Sequence, residues 1–270
     1  MTHSIIEAVV LGIIQGIAEF LPISSSGHLV IFGDLLQKGL HLQVDESHNL
    51  ILNVALHVGT LGSILTVYRR EVVGLIQQPR LCGAIVIATI PAAIVGLLFE
   101  DQFKAAFSTP LVAGIGLLIT ALLLIVAQKL QTERRSLDQT GPAPALAVGA
   151  FQSLALVPGI SRSGSTIAAG LFAGLKRDAA TTFSFLIAIP AIGGAAVLTA
   201  AEAWQAGLGS LQPVPVALGM LTAFLVGLAA LRLLIRAVSR GKLHWFAYYC
   251  LTIGVVTIVW QVLRASGNSF

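Results

Sequence analysis

Two short segments hold the side chains best suited to chemistry. The first is Gln15, Glu19, Pro22 and the run Ser24, Ser25, Ser26, Gly27, His28. The second reads Pro158, Gly159, Ile160, Ser161, Arg162, Ser163, Gly164, Ser165, Thr166. Gln15 and Glu19 are four residues apart and share one face of a helix. Pro22 ends or bends that helix. If Ser24 begins a new one, its hydroxyl and the free N–H groups of the first turn face an incoming anion. Ser25 and His28 then fall on the same turn, as a candidate nucleophile and base for acyl or phosphoryl transfer. His28 as direct nucleophile, or an activated water, is the alternative attacking group.

In the second segment Arg162 stands where the first offers a carboxylate. Guanidinium suits phosphate because it stays charged and donates two parallel hydrogen bonds. Ser24 and Ser26 from the first segment, with Ser161, Ser163 and Thr166 from the second, complete a set of donors for a phosphate, although a carboxylate would also satisfy them. His57, in Asn53-Val54-Ala55-Leu56-His57, is a secondary candidate for the cavity wall or for helix packing. His3, His41, His48 and His244 lie near ends or loops, and Asp45 with Glu46 reads as a loop pair. No phosphate-binding P-loop, dinucleotide fingerprint or zinc-protease motif is present.

These residues sit in an apolar chain. Of 270 residues, 56% are hydrophobic and 10% charged, against roughly 25% charged in soluble domains. Mean hydropathy is +0.90. A soluble globular enzyme and a disordered chain are excluded, and a polytopic helical membrane protein is indicated. The net charge of +4 points to basic cytoplasmic loops rather than to nucleic acid. Two isolated cysteines, Cys82 and Cys250, exclude a disulfide framework and a zinc cluster. The N-terminus lacks a basic signal-peptide region, so the first apolar stretch is expected to remain.

Six stretches reach the ~20 apolar residues a span needs: 50–68, 81–99, 110–128, 179–200, 214–231 and 243–262. The linkers 69–80 and 129–140 read as polar connections. The two chemical segments lie in shorter pairs of arms, 5–36 and 144–175, each broken by Pro or Gly. Such arms are too short to cross and are expected to be re-entrant hairpins. Gly12 and Gly16 offer a close-packing face. Displaced by 137 residues, 12–33 matches 149–170 at eight of 22 positions, including Gln15/Gln152, Ser24/Ser161, Ser26/Ser163 and Gly27/Gly164.

The fold expected is therefore all-α, one membrane domain over 1–270 with six spans and two hairpins. Repeat one covers about 1–130 and repeat two about 141–270, each a hairpin plus three spans. Three spans is odd, so the second copy is inverted and the broken tips meet near the midplane. Twelve Lys and Arg fall on one side and three on the other, with Arg162 left out. The basic side is cytoplasmic, which puts both termini and the mouth of the first hairpin outside. Trp204, Trp245 and Trp260 lie near span ends, as interfacial anchors do. Ionisable groups at membrane depth cost about 2.5–3.5 kcal/mol each and are functional by default. A structural ion pair between Glu19 and Arg162 is the plain alternative.

The runs Leu11–Leu29 and Pro158–Thr166, with Asn53–Ile64 and the repeat, resemble the undecaprenyl-pyrophosphate phosphatases of the bacitracin-resistance type over nearly the whole chain. The resemblance implies a multi-pass enzyme of the bacterial inner membrane. It would remove the terminal phosphate of C55 isoprenyl pyrophosphate and regenerate the carrier for peptidoglycan. It also implies Mg2+ or Ca2+. The family's (E/Q)-x-x-x-E motif falls on Gln15 and Glu19, so this chain has one of two carboxylates that other members carry. The serine-histidine motif falls on Ser24, Ser25, Ser26 and His28, and the arginine motif on Ser161, Arg162, Ser163 and Thr166. The roles expected are Arg162 with the hydroxyls as phosphate holders, Ser25 as nucleophile, His28 as base and later acid, and Glu19 as orienter or metal ligand with Gln15. A homodimer is expected from the general prevalence of two-fold assemblies. A transporter or flippase of an anionic lipid is the rival function, since inverted repeats with broken hairpins also build transporters.

Overall fold

The computed structural model describes residues 2–39, 49–205 and 213–267. His41, Asp45, Glu46 and His48 lie outside them. Among the described residues the chain is helical throughout, with one isolated bridge between Arg135 and Leu175 and no strand. The helices are α1 (Thr2–Ala18), α2 (Ser25–Gly39), α3 (Asn49–Val67), α4 (Arg69–Gly74), α5 (Pro79–Leu98), α6 (Glu100–Phe107), α7 (Pro110–Leu130), α8 (Pro142–Leu154), α9 (Arg162–Phe172), α10 (Arg177–Gln205), α11 (Pro213–Ser239) and α12 (Leu243–Ala265). Proline opens α5, α7, α8 and α11, where its fixed φ suits the first turn and its missing N–H is no loss.

Helices α5, α7, α10, α11 and α12 are each long and apolar enough to cross a bilayer. The remaining expected span, 50–68, coincides with α3, and the chain bends by 74° at its end, between Ile51–Val67 and Arg69–Gln77. The linker expected over 69–80 is thus mostly helical, since α4 continues into a 3-10 turn over Leu75–Gln77. The bend falls where Arg69 and Arg70 follow an apolar run, and a charged pair does not stay on an axis headed through hydrocarbon. Helix α6 was also not expected from the sequence.

The hairpin arms are short: 17 and 15 residues for α1 and α2, 13 and 11 for α8 and α9. Helix α1 packs on α11, and α8 packs on α5. Glycine makes both crossings close. A Cβ on Gly12 would lie 2.6 Å from the Gly219 carbonyl, and one on Gly149 would lie 2.6 Å from that of Ala88. Gly16 is equally tight against Ala223 and Gly227, so the expected Gly12/Gly16 face exists. The outer face of α1 shows Ile6, Val10, Ile13 and Ile17 to the surroundings.

The core lies around α9 and α10. Ser163 to Leu171 are all buried, packed with Phe183, Phe185, Leu186 and Ile187. The basic linkers gather at one end of the bundle. The Arg134 and Arg135 N–H groups donate to the Gly174 carbonyl, Arg177 pairs with Glu133 at 3.1 Å, and Gly241 lies against the Arg177 guanidinium.

Candidate active site

The two broken tips meet. Helix α1 ends at Ala18, and Pro22 follows, unable to continue it. Ser24 turns the chain in the left-handed region, at φ 65°. The Gly27 N–H then donates to Ser24 Oγ at 3.2 Å, and Ser24 Oγ lies 3.2 Å from Ser26 Oγ. The second tip repeats this plan. The Gly164 N–H donates to Ser161 Oγ at 3.1 Å, and Ser161 Oγ lies 3.2 Å from Ser163 Oγ. Both serines cap the helix that follows them. The contact between tips is reciprocal. A Cβ on Gly27 would lie 2.8 Å from Gly159 Cα, and one on Gly164 would lie 3.2 Å from Pro22 Cβ. Displacement by 137 residues exchanges these two pairs.

Charge joins the tips too. Arg162 Nη2 donates to Glu19 Oε1 at 2.7 Å. Gln15 Nε2 donates to the other carboxylate oxygen at 3.1 Å, as the four-residue spacing predicts. The side chains of Arg162 and Glu19 are 18% and 10% exposed. Removing one partner of so buried a pair costs about 3–5 kcal/mol. The Arg162 guanidinium also lies 5.6 Å from the Phe185 ring centroid, within cation–π range. Its Nη1 is buried with no hydrogen-bond partner. A desolvated, unpaired donor of this kind gains strongly from an incoming acceptor.

A cavity of about 370 Å³ opens beside the junction. Its polar wall carries Glu19, Ser24, Ser25, Ser26, Glu100, Ser161 and Arg162, and its apolar wall includes Gly96, Phe103, Phe107, Leu156 and Ile160. Ser25 lines this space, and its Oγ has no intramolecular partner among the described residues. Ser163 and Thr166 do not line it. Thr166 Oγ1 donates to the Arg162 carbonyl at 2.8 Å and sits against Ser184 Oγ. They brace Arg162 from behind rather than reach a ligand in the cavity.

His28 is not where the spacing placed it. It does not face Ser25. Its Nδ1 lies 2.8 Å from the Ser24 carbonyl and its Nε2 lies 2.8 Å from Tyr249 Oη. The carbonyl can only accept, so Nδ1 carries the proton and Nε2 accepts from the tyrosine. Helical side chains lean toward the N-terminus, which takes the imidazole back to the preceding turn. His57 is likewise engaged locally, with the Asn53 carbonyl at 2.9 Å, and is not on the cavity wall.

Residues far along the chain hold each tip, and no local pattern marks them. Thr120 Oγ1 on α7 donates to the Gly159 carbonyl and accepts from the Ser161 N–H, both at 2.9 Å. On α12, Cys250 Sγ donates to the Pro22 carbonyl at 3.4 Å, beside Tyr249. A helical threonine or tyrosine in an apolar run carries no signal beyond its polarity.

The carboxylates on the cavity are Glu19 and Glu100, too few for a cation cage made of protein ligands alone. Both Glu19 oxygens already accept from Arg162 and Gln15, and Gln15 brings no charge. Among the described residues no three His, Cys, Asp or Glu side chains gather at metal-binding range.

Comparison with known proteins agrees in full length. An undecaprenyl-diphosphatase from Rhodopirellula baltica is 45% identical over 259 residues, covering 95% of this chain and 98% of that protein. One from Alkaliphilus metalliredigens is 41% identical, again over 95% and 98%. Undecaprenyl-diphosphatase 4 of Bacillus thuringiensis is 39% identical over 95% and 97%. A family model described as bacitracin resistance protein BacA matches residues 8–256, and the chain belongs to that family.

Proposed function

We propose that the protein is an integral membrane phosphatase that converts undecaprenyl pyrophosphate to undecaprenyl phosphate and inorganic phosphate, recycling the lipid carrier. The observation that carries this reading is Arg162 on the wall of a hydroxyl-lined cavity, its guanidinium fixed by Glu19. The activity for which the relatives are named supports it. Phosphoryl transfer depends mainly on positioning and charge stabilisation, and the site offers both. Arg162 holds a terminal phosphate oxygen while Glu19 fixes the guanidinium through Nη2. The Ser24 and Ser26 hydroxyls flank it, and Ser161 caps the helix that presents Arg162.

Ser25 Oγ attacks the terminal phosphorus. The bond from that phosphorus to the bridging oxygen breaks, and the lipid monophosphate leaves. Water then cleaves the phosphoserine and releases inorganic phosphate. His28 takes the serine proton only after its ring leaves Tyr249 and turns toward the cavity. In the conformation described it holds the Ser24 carbonyl instead. The second segment reaches the substrate through Arg162 and Ser161, with Ser163 and Thr166 as support.

The site belongs in the bacterial cytoplasmic membrane. The two hairpins enter from opposite faces, the cavity opens to the outer side, both termini lie outside, and the assembly is a homodimer. The Mg2+ or Ca2+ that the resemblance implies enters with the pyrophosphate, because Mg2+ commonly binds one or two carboxylates plus substrate phosphates. EDTA is then expected to lower turnover without moving the thermal midpoint of the substrate-free protein. A midpoint that drops with EDTA would make the ion resident.

Phosphate release from a polyprenyl pyrophosphate in detergent tests the whole reading, with Ser25→Ala and Arg162→Ala beside wild type. Folded wild type that releases none would sink it. A phosphorylated intermediate trapped in wild type and absent from Ser25→Ala supports the serine. The reciprocal contacts of the two tips also suit a lipid transporter, and flipping that persists in Ser25→Ala would separate the two functions.

A further inference from the structure

Helix α6 is a short, one-faced element between two spans, and its placement is unexplained by the chemistry. Three of its residues, Glu100, Phe103 and Phe107, line the cavity. Their spacing of three and seven puts them on one helical face. The face runs from a carboxylate to two aromatic rings, as the cavity runs from the Arg162 junction to apolar carbon. Leu156 and Ile160, from the turn of the second hairpin, also line the cavity. Gly96, on α5, also lines the cavity. A Cβ there would already touch Leu156 Cδ1 at 3.7 Å, so the glycine leaves room that a larger side chain would fill. Just beyond it, Leu97 and Leu98 are each 70% exposed, which in a spanning helix means facing lipid.

The cavity, about 370 Å³, is near the lower end of the ~300–1,000 Å³ typical of small-ligand pockets. It admits a pyrophosphate and the first carbons of its alcohol, not an undecaprenyl tail. The rest of the tail must leave through an apolar wall into the bilayer. Resting on the phosphatase reading, we propose that Phe103 and Phe107, with Gly96 and Leu156, form a subsite for the first isoprene units of the substrate. The space at Gly96 is where the tail passes out. The aromatic rings grip branched alkene carbons by apolar contact, so the subsite selects a prenyl pyrophosphate over a pyrophosphate with little or no tail. Headgroup chemistry lies on the other wall and does not depend on it.

The experiment compares kcat/KM for farnesyl pyrophosphate, with three isoprene units, and dimethylallyl pyrophosphate, with one. The proteins are purified wild type, Phe103→Ala/Phe107→Ala, Phe103→Leu/Phe107→Leu and Gly96→Leu. Alanine is expected to lower kcat/KM for farnesyl pyrophosphate about tenfold through KM, in line with lost apolar contact, and to lower it clearly less for dimethylallyl pyrophosphate, whose single unit makes fewer of those contacts. Leucine restores most of the preference, and Gly96→Leu blocks the longer substrate more than the shorter. Equal losses on both substrates, or none, would overturn the subsite and leave the phosphatase intact. Wild type inactive on both, and on undecaprenyl pyrophosphate, would overturn the phosphatase reading itself. Matched gel-filtration profiles separate these results from misfolding.

Discussion

The two tips share a plan and differ in surroundings. The second turns on Gly159 at φ 91°, where a Cβ would lie 2.0 Å from the Ala113 carbonyl. Thr120 satisfies its backbone on both sides, and α9 beyond it is enclosed in the core. The first turns on Ser24, a residue with a Cβ, at φ 65°. Its following helix exposes Leu29, Phe32 and Leu35, and its brace is Tyr249, itself 41% exposed. One tip is a fixed cradle that presents Arg162. The other brings the Ser25 and Ser26 hydroxyls to the cavity and leads into a helix less enclosed than α9. The same cap occurs at both tips, and their burial differs: the charge needing orientation sits on the more enclosed one.

The largest way to break this comparison is at the cradle's one working group. Arg162→Ala is expected to lower phosphate release about 10³-fold or more, as loss of a phosphoryl-transfer arginine does. Exchanging the pair, Glu19→Arg with Arg162→Glu, keeps an ion pair and moves the charge. Recovered turnover in that double variant would make the pair a structural lock. Next is the cradle's turn. Gly159→Ala forces both a left-handed alanine and a clash with Ala113, and should cost about 3–5 kcal/mol of stability in thermal or denaturant unfolding.

Thr120→Val keeps the shape but leaves the Gly159 carbonyl and the Ser161 N–H unpaired. The expected loss is about 2–3 kcal/mol, with turnover falling in step because Arg162 follows Ser161. A stable but inactive Thr120→Val would show that position and stability separate here. The smallest effects belong to the open tip. Tyr249→Phe removes one hydrogen bond to His28, worth about 1 kcal/mol. It is expected to change kcat more than KM, since the His28 ring is released from its brace. Ser24→Asn retains a cap and suits the left-handed backbone, so its thermal midpoint should hold. A large loss there would mean that the first tip is as rigid as the second.

Much of this was legible before any coordinates. Apolar length marked the spans, and Pro22, Pro158 and Gly159 marked the breaks. The 137-residue match put equivalent caps on Ser24 and Ser161, and the spacing of Gln15 and Glu19 placed them in contact. The misreadings have physical causes. A three-residue spacing said that Ser25 and His28 share a turn, but not that the imidazole would fold back to the Ser24 carbonyl and meet a tyrosine 221 positions away. Thr166 looked like a phosphate donor by motif, yet the core around Ser184 claims it. The bend after Val67 and helix α6 were missed because both are short and lie among charges that also suit loops.

Local chemistry and hydrophobic length determined the class of the protein, its helices, its two broken segments and the residue types at the site. These follow from the cost of polar groups in hydrocarbon and from the φ preferences of proline and glycine, which act over a few residues. Tertiary structure alone decided which tip leads into the enclosed helix, which hydroxyls meet the cavity, and that Arg162 reaches Glu19 across 143 positions. Those outcomes depend on close approach between helices distant in the chain, at Gly12 on Gly219, Gly149 on Ala88 and Gly116 on Pro158, where small residues let backbones touch. No short-range pattern encodes which small residue will find which.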